Sequence, residues 1–333
     1  MKKKICTLLS GVLCLSILSG CNSQTEETSL TPVRLNEVVH SVFYAPQYVA
    51  QELGFFEEEG LAVTVAVGNG ADKSMTALLS DSADISLLGT EAGIYVYNEG
   101  KENHPKIFAQ LTQRAGNFLI SREEEPDFQW SDLKGKSVIG GRLGGMPELV
   151  LEYVIRENGM QKGKDVEIIN KIDFSSTAGA FTGDVGDYTV EFEPVASTLQ
   201  ENGTGHIVAS LGEASGYIPY TVYMASDAFL QEKPDAIEAF TRAVYRGQQW
   251  VADHSAAEIA EVIHPQFPES DIDMLTTIID RYKSQDTWKE DPCISEEGFT
   301  LMQEIMEQGG ELSAPVPFDK LVDSTFAEKV ITK

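Results

Sequence analysis

The sequence has few basic residues for its length. Its 333 residues include 25 lysines and arginines against 52 aspartates and glutamates, which gives a formal net charge of −27. A chain this acidic repels the phosphates of nucleic acid, which argues against a nucleic-acid partner. The negative charge favours solubility, but it does not reveal the charge of a bound ligand, because an acidic surface can still enclose a local anion site.

The sequence also lacks an apolar run long enough to span a bilayer, since the run from Ile5 to Leu18 falls short of the roughly 20 residues required. Lysines precede this run and small residues follow it, which predicts a secretory signal peptide over residues 1–20. Residues 18–21 (Leu-Ser-Gly-Cys) resemble the bacterial lipoprotein box, in which the cysteine is lipidated and becomes the first mature residue. We therefore expect lipid on Cys21 to anchor the protein at the extracytoplasmic face of the cell membrane. Residues 21–32 would form a flexible, polar tether.

Cysteine is rare as well, with four in the chain. Cys6 and Cys14 would leave with the signal peptide and Cys21 would carry lipid, so Cys293 would be the remaining thiol. No internal disulfide is then possible, and Cys293 is interpreted as a small packing residue. The sequence shows neither a metal-ligand spacing of cysteine and histidine nor a Gly-x-Ser-x-Gly nucleophile motif. No catalytic residue, metal or cofactor is therefore predicted.

Short apolar segments alternate with amphipathic ones over most of the chain, and this alternation predicts parallel βαβ units. Strands are predicted at residues 33–39, 61–67, 84–88, 106–112, 137–140, 166–170, 188–191 and 206–210, and extended crossing segments at residues 118–121 and 220–225. Helices are predicted at residues 46–58, 71–80, 91–98, 147–158, 175–181, 194–202, 233–254, 256–263, 272–283 and 295–308.

Two such series followed by a helical tail predict an α/β fold with two lobes. Lobe 1 would comprise residues 33–116 and 222–333, and lobe 2 residues 117–221, with the chain crossing between the lobes twice. Ligands of open α/β sheets bind at the carboxyl ends of strands, and a cleft between two such edges suits a small molecule. One larger domain, or two unrelated domains, is the alternative.

Residues 40–50 (His-Ser-Val-Phe-Tyr-Ala-Pro-Gln-Tyr-Val-Ala) run into residues 52–61 (Glu-Leu-Gly-Phe-Phe-Glu-Glu-Glu-Gly-Leu). This opening resembles that of the solute-binding proteins of nitrate, taurine, aliphatic-sulfonate and thiamine-pyrimidine importers, and the resemblance covers most of residues 33–325. Shorter segments similar to the family's lie at residues 82–86, 135–140 and 192–194. The resemblance implies a type II periplasmic-binding-protein fold that closes around its ligand. It also implies an ATP-driven (ABC) importer as partner, with permease and ATPase subunits.

The first lobe offers ligand-binding candidates in two loops. His40, Ser41 and Tyr44 lie between the first strand and its helix, where loop side chains can face the predicted cleft. Gly89 and Thr90 join the third strand to its helix, and Thr90 is predicted to cap that helix. Its hydroxyl would also bind polar ligand atoms; capping alone is the alternative, and the two roles are compatible.

The second lobe has a glycine-rich loop, residues 140–147, between a strand and a helix. Gly144, Gly145 and Met146 would bring the backbone close to the ligand, while Arg142 would either supply positive charge or be solvated at the rim. The spacing fits neither a P-loop nor a dinucleotide fingerprint. The loop is therefore predicted to cradle an anion or a carbonyl group of a free metabolite.

Glu193 and Tyr220 complete the candidate site. By resemblance to family members selective for amino-pyrimidines, Glu193 would accept hydrogen bonds from ring amino groups. A carboxylate that only complements the dipole of the following helix is the alternative. Tyr220 lies on the return crossing and is expected to face the ligand.

These features predict a monomeric, lipid-anchored binding protein that delivers a small organic solute to an ABC importer. The aromatic residues and Glu193 favour a planar, amine-bearing heterocycle such as a thiamine-precursor pyrimidine, whereas the glycine loop and Arg142 favour a sulfonate, nitrate or other small anion. A pyrimidine-synthase-like or lyase-like enzyme on the same fold is an alternative of another class, although the synthases that resemble this family need a cysteine-rich segment and a pyridoxal-phosphate lysine. An adhesin or sensor subunit that uses the same cleft is a third possibility.

Overall fold

The structure, a computed structural model, describes residues 29–100 and 104–332. The predicted signal peptide, Cys21 and most of the predicted tether lie outside the described residues. Within the described ranges, no helix is both long and apolar enough to cross a membrane.

Strands and helices alternate up to the last strand, and the rest of the chain is helical. Over the described ranges the strands are β1 (Thr31–Glu37), β2 (Leu61–Val67), β3 (Ile85–Gly89), β4 (Lys106–Thr112), β5 (Asn117–Ser121), β6 (Ser137–Ile139), β7 (Glu167–Ile169), β8 (Tyr188–Phe192), β9 (His206–Ser210) and β10 (Thr221–Ala225). The helices are α1 (Ala45–Glu52), α2 (Phe55–Glu58), α3 (Ala71–Leu79), α4 (Thr90–Asn98), α5 (Met146–Glu157), α6 (Thr177–Thr182), α7 (Val195–Glu201), α8 (Leu211–Ser215), α9 (Asp227–Glu232), α10 (Pro234–Asp253), α11 (Ala256–Ile263), α12 (Ile272–Ser284), α13 (Glu296–Gln308), α14 (Phe318–Leu321) and α15 (Thr325–Ile331).

The strands form two five-stranded sheets, with the order β2-β1-β3-β10-β4 in the first and β7-β6-β8-β5-β9 in the second. Strand β1 pairs in parallel with β2 and β3, and β6 pairs in parallel with β7 and β8. The chain leaves the first sheet after β4 and returns to it as β10. The two-lobed α/β architecture is therefore present, with one sheet in each lobe, while the residue boundaries given above for the lobes stay a prediction.

The two crossing segments, predicted only as extended, are strands that run antiparallel to their neighbours. Strand β10 is antiparallel to β3 and β4, and β5 is antiparallel to β8 and β9. Each of these two strands enters its sheet directly from the other lobe, at the edge where the parallel strands end, and therefore runs back across the sheet. Apolar periodicity indicates a buried strand but contains no information about its direction.

One predicted helix divides in two, and some short helices are not predicted. The helix expected over residues 46–58 breaks into α1 and α2 at Gly54, whose φ of +72° lies in the left-handed region that glycine adopts without steric cost. Strands β2, β4 and β9 and helix α11 have the predicted bounds. Helices α8, α9, α14 and α15, which have four to seven residues each, are absent from the predicted set.

The helical tail packs against both lobes near their crossing. The hydroxyl of Tyr282 on α12 donates a hydrogen bond to the carbonyl oxygen of Gly116 at 2.7 Å. The Tyr282 ring contacts Phe43 of the first lobe and Phe118 of the second, with centroid distances of 5.6 and 5.7 Å. All three rings belong to one hydrophobic core cluster. Helix α12 of the tail therefore contacts both lobes close to the point where the chain crosses between them.

Candidate functional site

A cavity of about 410 Å³ lies between the two sheets, at the edge where their parallel strands end. On the side of the first sheet it is bounded by the loops after β1 and β2, by α3 and by the start of α4. On the side of the second sheet it is bounded by the loop between β6 and α5 and by the end of β8. Parallel strands present their carboxyl ends, and the N-termini of the helices that follow, at one edge. The cavity therefore lies where two such edges face each other.

Aromatic rings form much of the cavity wall. Tyr44, Phe174, Phe192 and Tyr220 all line it. The Phe192 ring contacts those of Phe174 and Tyr220, with centroid distances of 5.6 and 6.2 Å. The Tyr220 hydroxyl is buried and has no hydrogen-bond partner in the described part of the chain. Burial raises the pKa of Tyr220 well above its usual value, so the hydroxyl keeps its proton and can donate a hydrogen bond to a ligand.

The glycine-rich loop brings backbone to the opposite wall. Gly144 has a φ of +71°, a conformation that favours glycine. The Gly145 N–H donates to the Arg142 carbonyl oxygen at 3.0 Å, and the Gly144 N–H donates to Oε2 of Glu148 at 3.3 Å. Two N–H groups of the loop are therefore used by the protein itself. These two donors are therefore not available to an anion bound at the loop.

Two polar contacts join the lobes across the mouth of the cavity. The Tyr95 hydroxyl on α4 donates to the carbonyl oxygen of Gly144 at 2.9 Å. Arg142 forms an ion pair with Asp72 on α3, and both side chains are about half exposed to solvent. The positive charge of Arg142 is therefore neutralised within the protein. Among the described residues that line the cavity, Arg142 is the only basic one.

Glu91 is a buried acidic residue in the cavity wall. It is the second residue of α4 and is 2% exposed. Its Oε2 atom has no hydrogen-bond partner among the described residues. Burial raises the pKa of Glu91 to about 7, and the nearby backbone N–H groups of Glu91, Met146 and Ala92 only partly oppose this rise. An acidic residue in the first turn of a helix is common because it complements the helix dipole, so the sequence gives no reason to select Glu91. Its burial and its missing partner become visible only in the tertiary structure.

His40 does not line the cavity. Its Nδ1 lies 2.9 Å from Oε1 of Glu37 and its Nε2 lies 2.8 Å from the carbonyl oxygen of Gln266. The ring also stacks on Phe267 at a centroid distance of 4.7 Å. The hydrogen bond to Glu37 is the main reason that the pKa of His40 is raised. Because both ring nitrogens face acceptors, the imidazole connects the first loop to the helical tail.

Ser41 and Thr90 are likewise engaged within the protein. The Ser41 hydroxyl donates to the carbonyl oxygen of Glu193 at 2.5 Å and accepts from the Phe43 N–H at 3.2 Å. The Thr90 hydroxyl donates to the Pro219 carbonyl oxygen. Helix α4 begins at Thr90, with the preceding glycine in the N-cap position, so the prediction that Thr90 caps the helix is wrong.

Glu193 also lies away from the cavity lining. It is 1% exposed, and its carboxylate accepts hydrogen bonds from the N–H and hydroxyl of Ser197 at 2.9 and 3.0 Å. Arg281 on α12 forms an ion pair with the same carboxylate. Burial raises the pKa of Glu193, and the positive charge of Arg281 acts in the opposite direction. The carboxylate therefore anchors the tail on the second lobe, a contact between residues 88 positions apart.

Six of the predicted ligand-binding residues line the cavity, and four do not. Those that line it are Tyr44, Gly89, Gly144, Gly145, Met146 and Tyr220. Lining residues that sequence reasoning did not select include Asp72, Glu91, Tyr95, Phe174 and Phe192. Phe192 ends a buried strand and is the first residue of the family-like segment 192–194, which is a signal that could have identified it.

Neither the remaining thiol nor a group of metal ligands contributes to the cavity in the described part of the chain. Cys293 is not among the residues that line the cavity. Burial raises the pKa of its thiol to about 11, which makes it a weak nucleophile. Over the described ranges, no group of three or more histidine, cysteine, aspartate or glutamate residues is arranged to hold a metal ion.

The chain is similar to known proteins in both sequence and structure. The chain is 45% identical to YtlA of Bacillus subtilis (strain 168), named as a proposed binding protein, over 316 residues that cover 95% of this chain and 94% of that protein. It is 24% identical to the 4-amino-5-hydroxymethyl-2-methylpyrimidine phosphate synthase of Aspergillus parasiticus over 234 residues, 66% of each chain. The crystal structure of the periplasmic nitrate-binding protein NrtA from Synechocystis PCC 6803 superposes with a TM-score of 0.72 at 17% identity, covering 91% of this chain and 89% of that one.

The family profile described as "NMT1/THI5 like" matches residues 42–258, which include most of the opening motif and every strand from β2 to β10. The fold similarity and the 45% identity to YtlA extend over nine-tenths or more of the chain. The chain therefore belongs to the NMT1/THI5-like family and has its two-lobed binding-protein fold.

Proposed function

We propose that this protein is the extracytoplasmic solute-binding component of an ABC importer, and that it captures a small organic solute between its lobes. The observation that carries the proposal is one cavity lined from both sheets, with Tyr44 and Glu91 on one side and Met146 and Phe192 on the other. A solute in this cavity would contact both lobes and would hold them together. Lobe 1 would comprise residues 33–116 and 222–333, and lobe 2 residues 117–221.

The solute we propose is a planar heterocycle such as a thiamine-precursor pyrimidine. Aromatic side chains bind flat rings over a large area at low entropic cost, and the wall containing Phe174, Phe192 and Tyr220 supplies them. The volume of about 410 Å³ lies in the range typical of small-molecule sites. A relative of this chain, from Aspergillus parasiticus, is named as a synthase of 4-amino-5-hydroxymethyl-2-methylpyrimidine phosphate, which contains such a ring.

A small anion is the alternative solute, because NrtA, which shares the fold, binds nitrate by name. Three features weigh against it here. Arg142 is paired with Asp72, two N–H groups of the glycine loop are used internally, and an anion of nitrate's size would occupy a small part of the cavity. A sulfonate with a large organic group fits the volume better than nitrate does. It would still find no unpaired basic side chain among the described lining residues.

An enzyme of the synthase type is the alternative of another class. A pyridoxal-phosphate enzyme needs a lysine that reaches its site, and the described lining residues include none. The identity to YtlA, a relative named for binding, covers far more of the chain than the identity to the synthase does. Both points favour release of the solute chemically unchanged.

A melting screen tests the proposed function. The full-length chain, extracted in mild detergent, would be heated with pyrimidines, flavin precursors, sulfonates, nitrate and bicarbonate. A ligand that binds only the native state stabilises it, by about 2.7 kcal/mol at a concentration of 100 times Kd. We expect an amino-pyrimidine to raise the melting temperature and to be recovered unchanged. Turnover of the solute, or no stabilisation by any member of the panel, would contradict the proposal.

Attachment to the membrane through lipid on Cys21 is part of the same proposal. Replacing Cys21 by alanine should move the protein from the membrane fraction to the medium or periplasm, while solute binding is kept. Equal amounts of both forms in the membrane fraction would exclude the lipid anchor.

A further inference from the structure

The Glu91 carboxyl group lies where two helices begin. Glu91 itself is at the start of α4, and the backbone N–H of Met146, the first residue of α5, faces its carboxyl group from the other lobe. Gly89 lies so close that a Cβ atom there would be 1.9 Å from Oε2 of Glu91. This carboxyl group thus occupies the positive ends of two helix dipoles, which are the places where an anionic ligand would otherwise bind.

The surroundings supply no other partner for this group. Its Oε2 atom is buried without a hydrogen-bond partner in the described part of the chain, although a buried acceptor normally has one. Among the described lining residues the basic one is Arg142, and it is already paired with Asp72. A buried carboxyl group that has one unsatisfied oxygen, and no unpaired basic residue beside it in the described lining, is suited to a ligand that brings N–H donors or a positive charge.

We propose that Glu91 determines ligand specificity, an inference that rests on the proposed function. Its carboxyl group accepts a hydrogen bond from an amino group or a protonated ring nitrogen of a planar heterocycle, and it keeps small anions out of the cavity.

The two parts of this proposal have the same physical origin. In its ionised form, which a ligand N–H donor stabilises, the carboxyl group of Glu91 accepts hydrogen bonds and donates none, so it pairs with N–H groups and repels sulfonate, nitrate or carboxylate ligands. The aromatic wall that contains Phe192 and Tyr220 would hold the ring, and the unpartnered Tyr220 hydroxyl offers a second polar contact. Bonds between an ionised acceptor and an N–H donor are roughly twice as strong as neutral ones. Most of the discrimination should therefore come from Glu91.

The test compares two ligands and three forms of the full-length protein in mild detergent. The ligands are 4-amino-2-methylpyrimidine and 2,4-dimethylpyrimidine, which differ in an amino group replaced by a methyl group of similar size. The proteins are the wild type, Glu91→Gln, and Glu57→Gln as a control for the same loss of charge at an exposed position of α2. Circular dichroism checks that each variant is folded, and calorimetry gives Kd for each pair.

We expect the wild type and the control to prefer the amino compound by about tenfold or more, the ratio that a charge-assisted hydrogen bond provides. In Glu91→Gln this ratio should approach one, mostly through weaker binding of the amino compound. Binding of methanesulfonate or nitrate should be undetectable in the wild type and should become measurable in Glu91→Ala, in which the N–H groups of α4 and α5 are freed.

An unchanged ratio in folded Glu91→Gln would overturn the role of Glu91 and leave the proposed function intact. Binding of another solute, with neither pyrimidine bound, would overturn the role of Glu91 and the heterocycle but leave solute binding. If the wild type bound no solute at all, the proposed function would fail together with the inference. If Glu91→Gln were unfolded, Glu91→Ala compared on the same two ligands would decide, and the same ratio as in the wild type would again overturn the role.

Discussion

The hydroxyl of Tyr95 donates a hydrogen bond of 2.9 Å to the carbonyl oxygen of Gly144, and this bond joins the two lobes across the mouth of the cavity. Tyr95 belongs to α4, which follows the first sheet, and Gly144 to the loop that follows β6 of the second. The two residues are 49 positions apart in the chain. The contact holds α4 and the glycine-rich loop together beside the cavity that both of them line.

Tyr95→Phe should weaken solute binding about fivefold. The variant keeps the ring and removes one hydrogen bond, which contributes about 1 kcal/mol net, and the loss favours separation of the lobes. Calorimetry gives the change in Kd, and stopped-flow measurements should show that most of it lies in faster release. Tyr153→Phe is the matched control, because this tyrosine lies on α5 outside the cavity lining. Equal Kd values for Tyr95→Phe and the wild type would show that the bond does not support binding.

The ion pair between Arg142 and Asp72 should make a smaller, salt-sensitive contribution. Because the two side chains are 44% and 50% exposed, we expect a coupling energy of about 0.2–1 kcal/mol. A double-mutant cycle with Arg142→Ala, Asp72→Ala and the double variant measures this coupling through Kd. The coupling should decrease at high salt, which screens exposed charges. Strictly additive single variants at low salt would mean that the pair does not hold the lobes together.

Gly89→Ala should reduce affinity by tenfold or more. A Cβ atom at this position would lie 1.9 Å from Oε2 of Glu91 and 2.6 Å from Cγ of Met146, which is closer than real contacts allow. Met146 belongs to the opposite lobe, so we expect the lobes to move apart. X-ray scattering should then show no compaction when solute is added.

The control for this prediction is Gly179→Ala in α6, where a Cβ atom would meet nothing within 4 Å. Alanine in a helix interior is favoured over glycine by roughly 0.5–1 kcal/mol. This variant should therefore bind solute normally and be slightly more stable. Compaction of Gly89→Ala on adding solute, with wild-type affinity, would contradict the steric argument.

Glu191 should make the protein less stable as the pH rises from about 4.5 to about 7. Its buried carboxyl group accepts hydrogen bonds from Thr189 and Thr177 at 2.8 and 3.0 Å, and burial raises its pKa to about 7. Between the two pKa values the folded state holds a proton that the unfolded chain has lost, so the free energy of unfolding falls as the pH rises. The contribution of this residue is at most about 3 kcal/mol.

Urea unfolding at about pH 5 and about pH 8 measures this effect. Glu191→Gln cannot ionise, so its free energy of unfolding should fall less than that of the wild type over the same interval. Part of the decrease should remain, because the pKa of Glu91 is also raised to about 7. Glu201→Gln, at an exposed position of α7, should behave like the wild type. The same pH dependence in Glu191→Gln and the wild type would exclude Glu191 as a source.

Local features of the site could be predicted because they depend on a few neighbouring residues. A glycine-rich stretch between a strand and a helix identifies a loop at the sheet edge, and Gly144, Gly145 and Met146 do line the cavity. Tyr44 and Gly89 were found for the same reason, since each lies where a strand meets its helix.

The choice between two buried glutamates could not be predicted. Glu91 and Glu193 each lie close to the start of a helix after a buried strand, and sequence reasoning preferred Glu193. The docking of α12 brings Arg281 to Glu193 and satisfies that carboxylate, whereas Glu91 is left in the cavity wall without such a partner. His40 is kept from the cavity lining by a similar long-range contact, because Gln266, whose carbonyl oxygen contacts its ring, is 226 positions away.

The sequence by itself determined the α/β class, the positions of most strands and helices, the family, and the prediction of an exported, lipid-anchored chain, since all of these follow from local composition, periodicity and motifs. Tertiary structure alone decided the reversed direction of β5 and β10, which side chains face the cavity, and which charges stay unpaired. Burial and pairing depend on contacts between residues far apart in the chain. These contacts set the pKa of a carboxyl group and decide whether it remains free to bind a ligand.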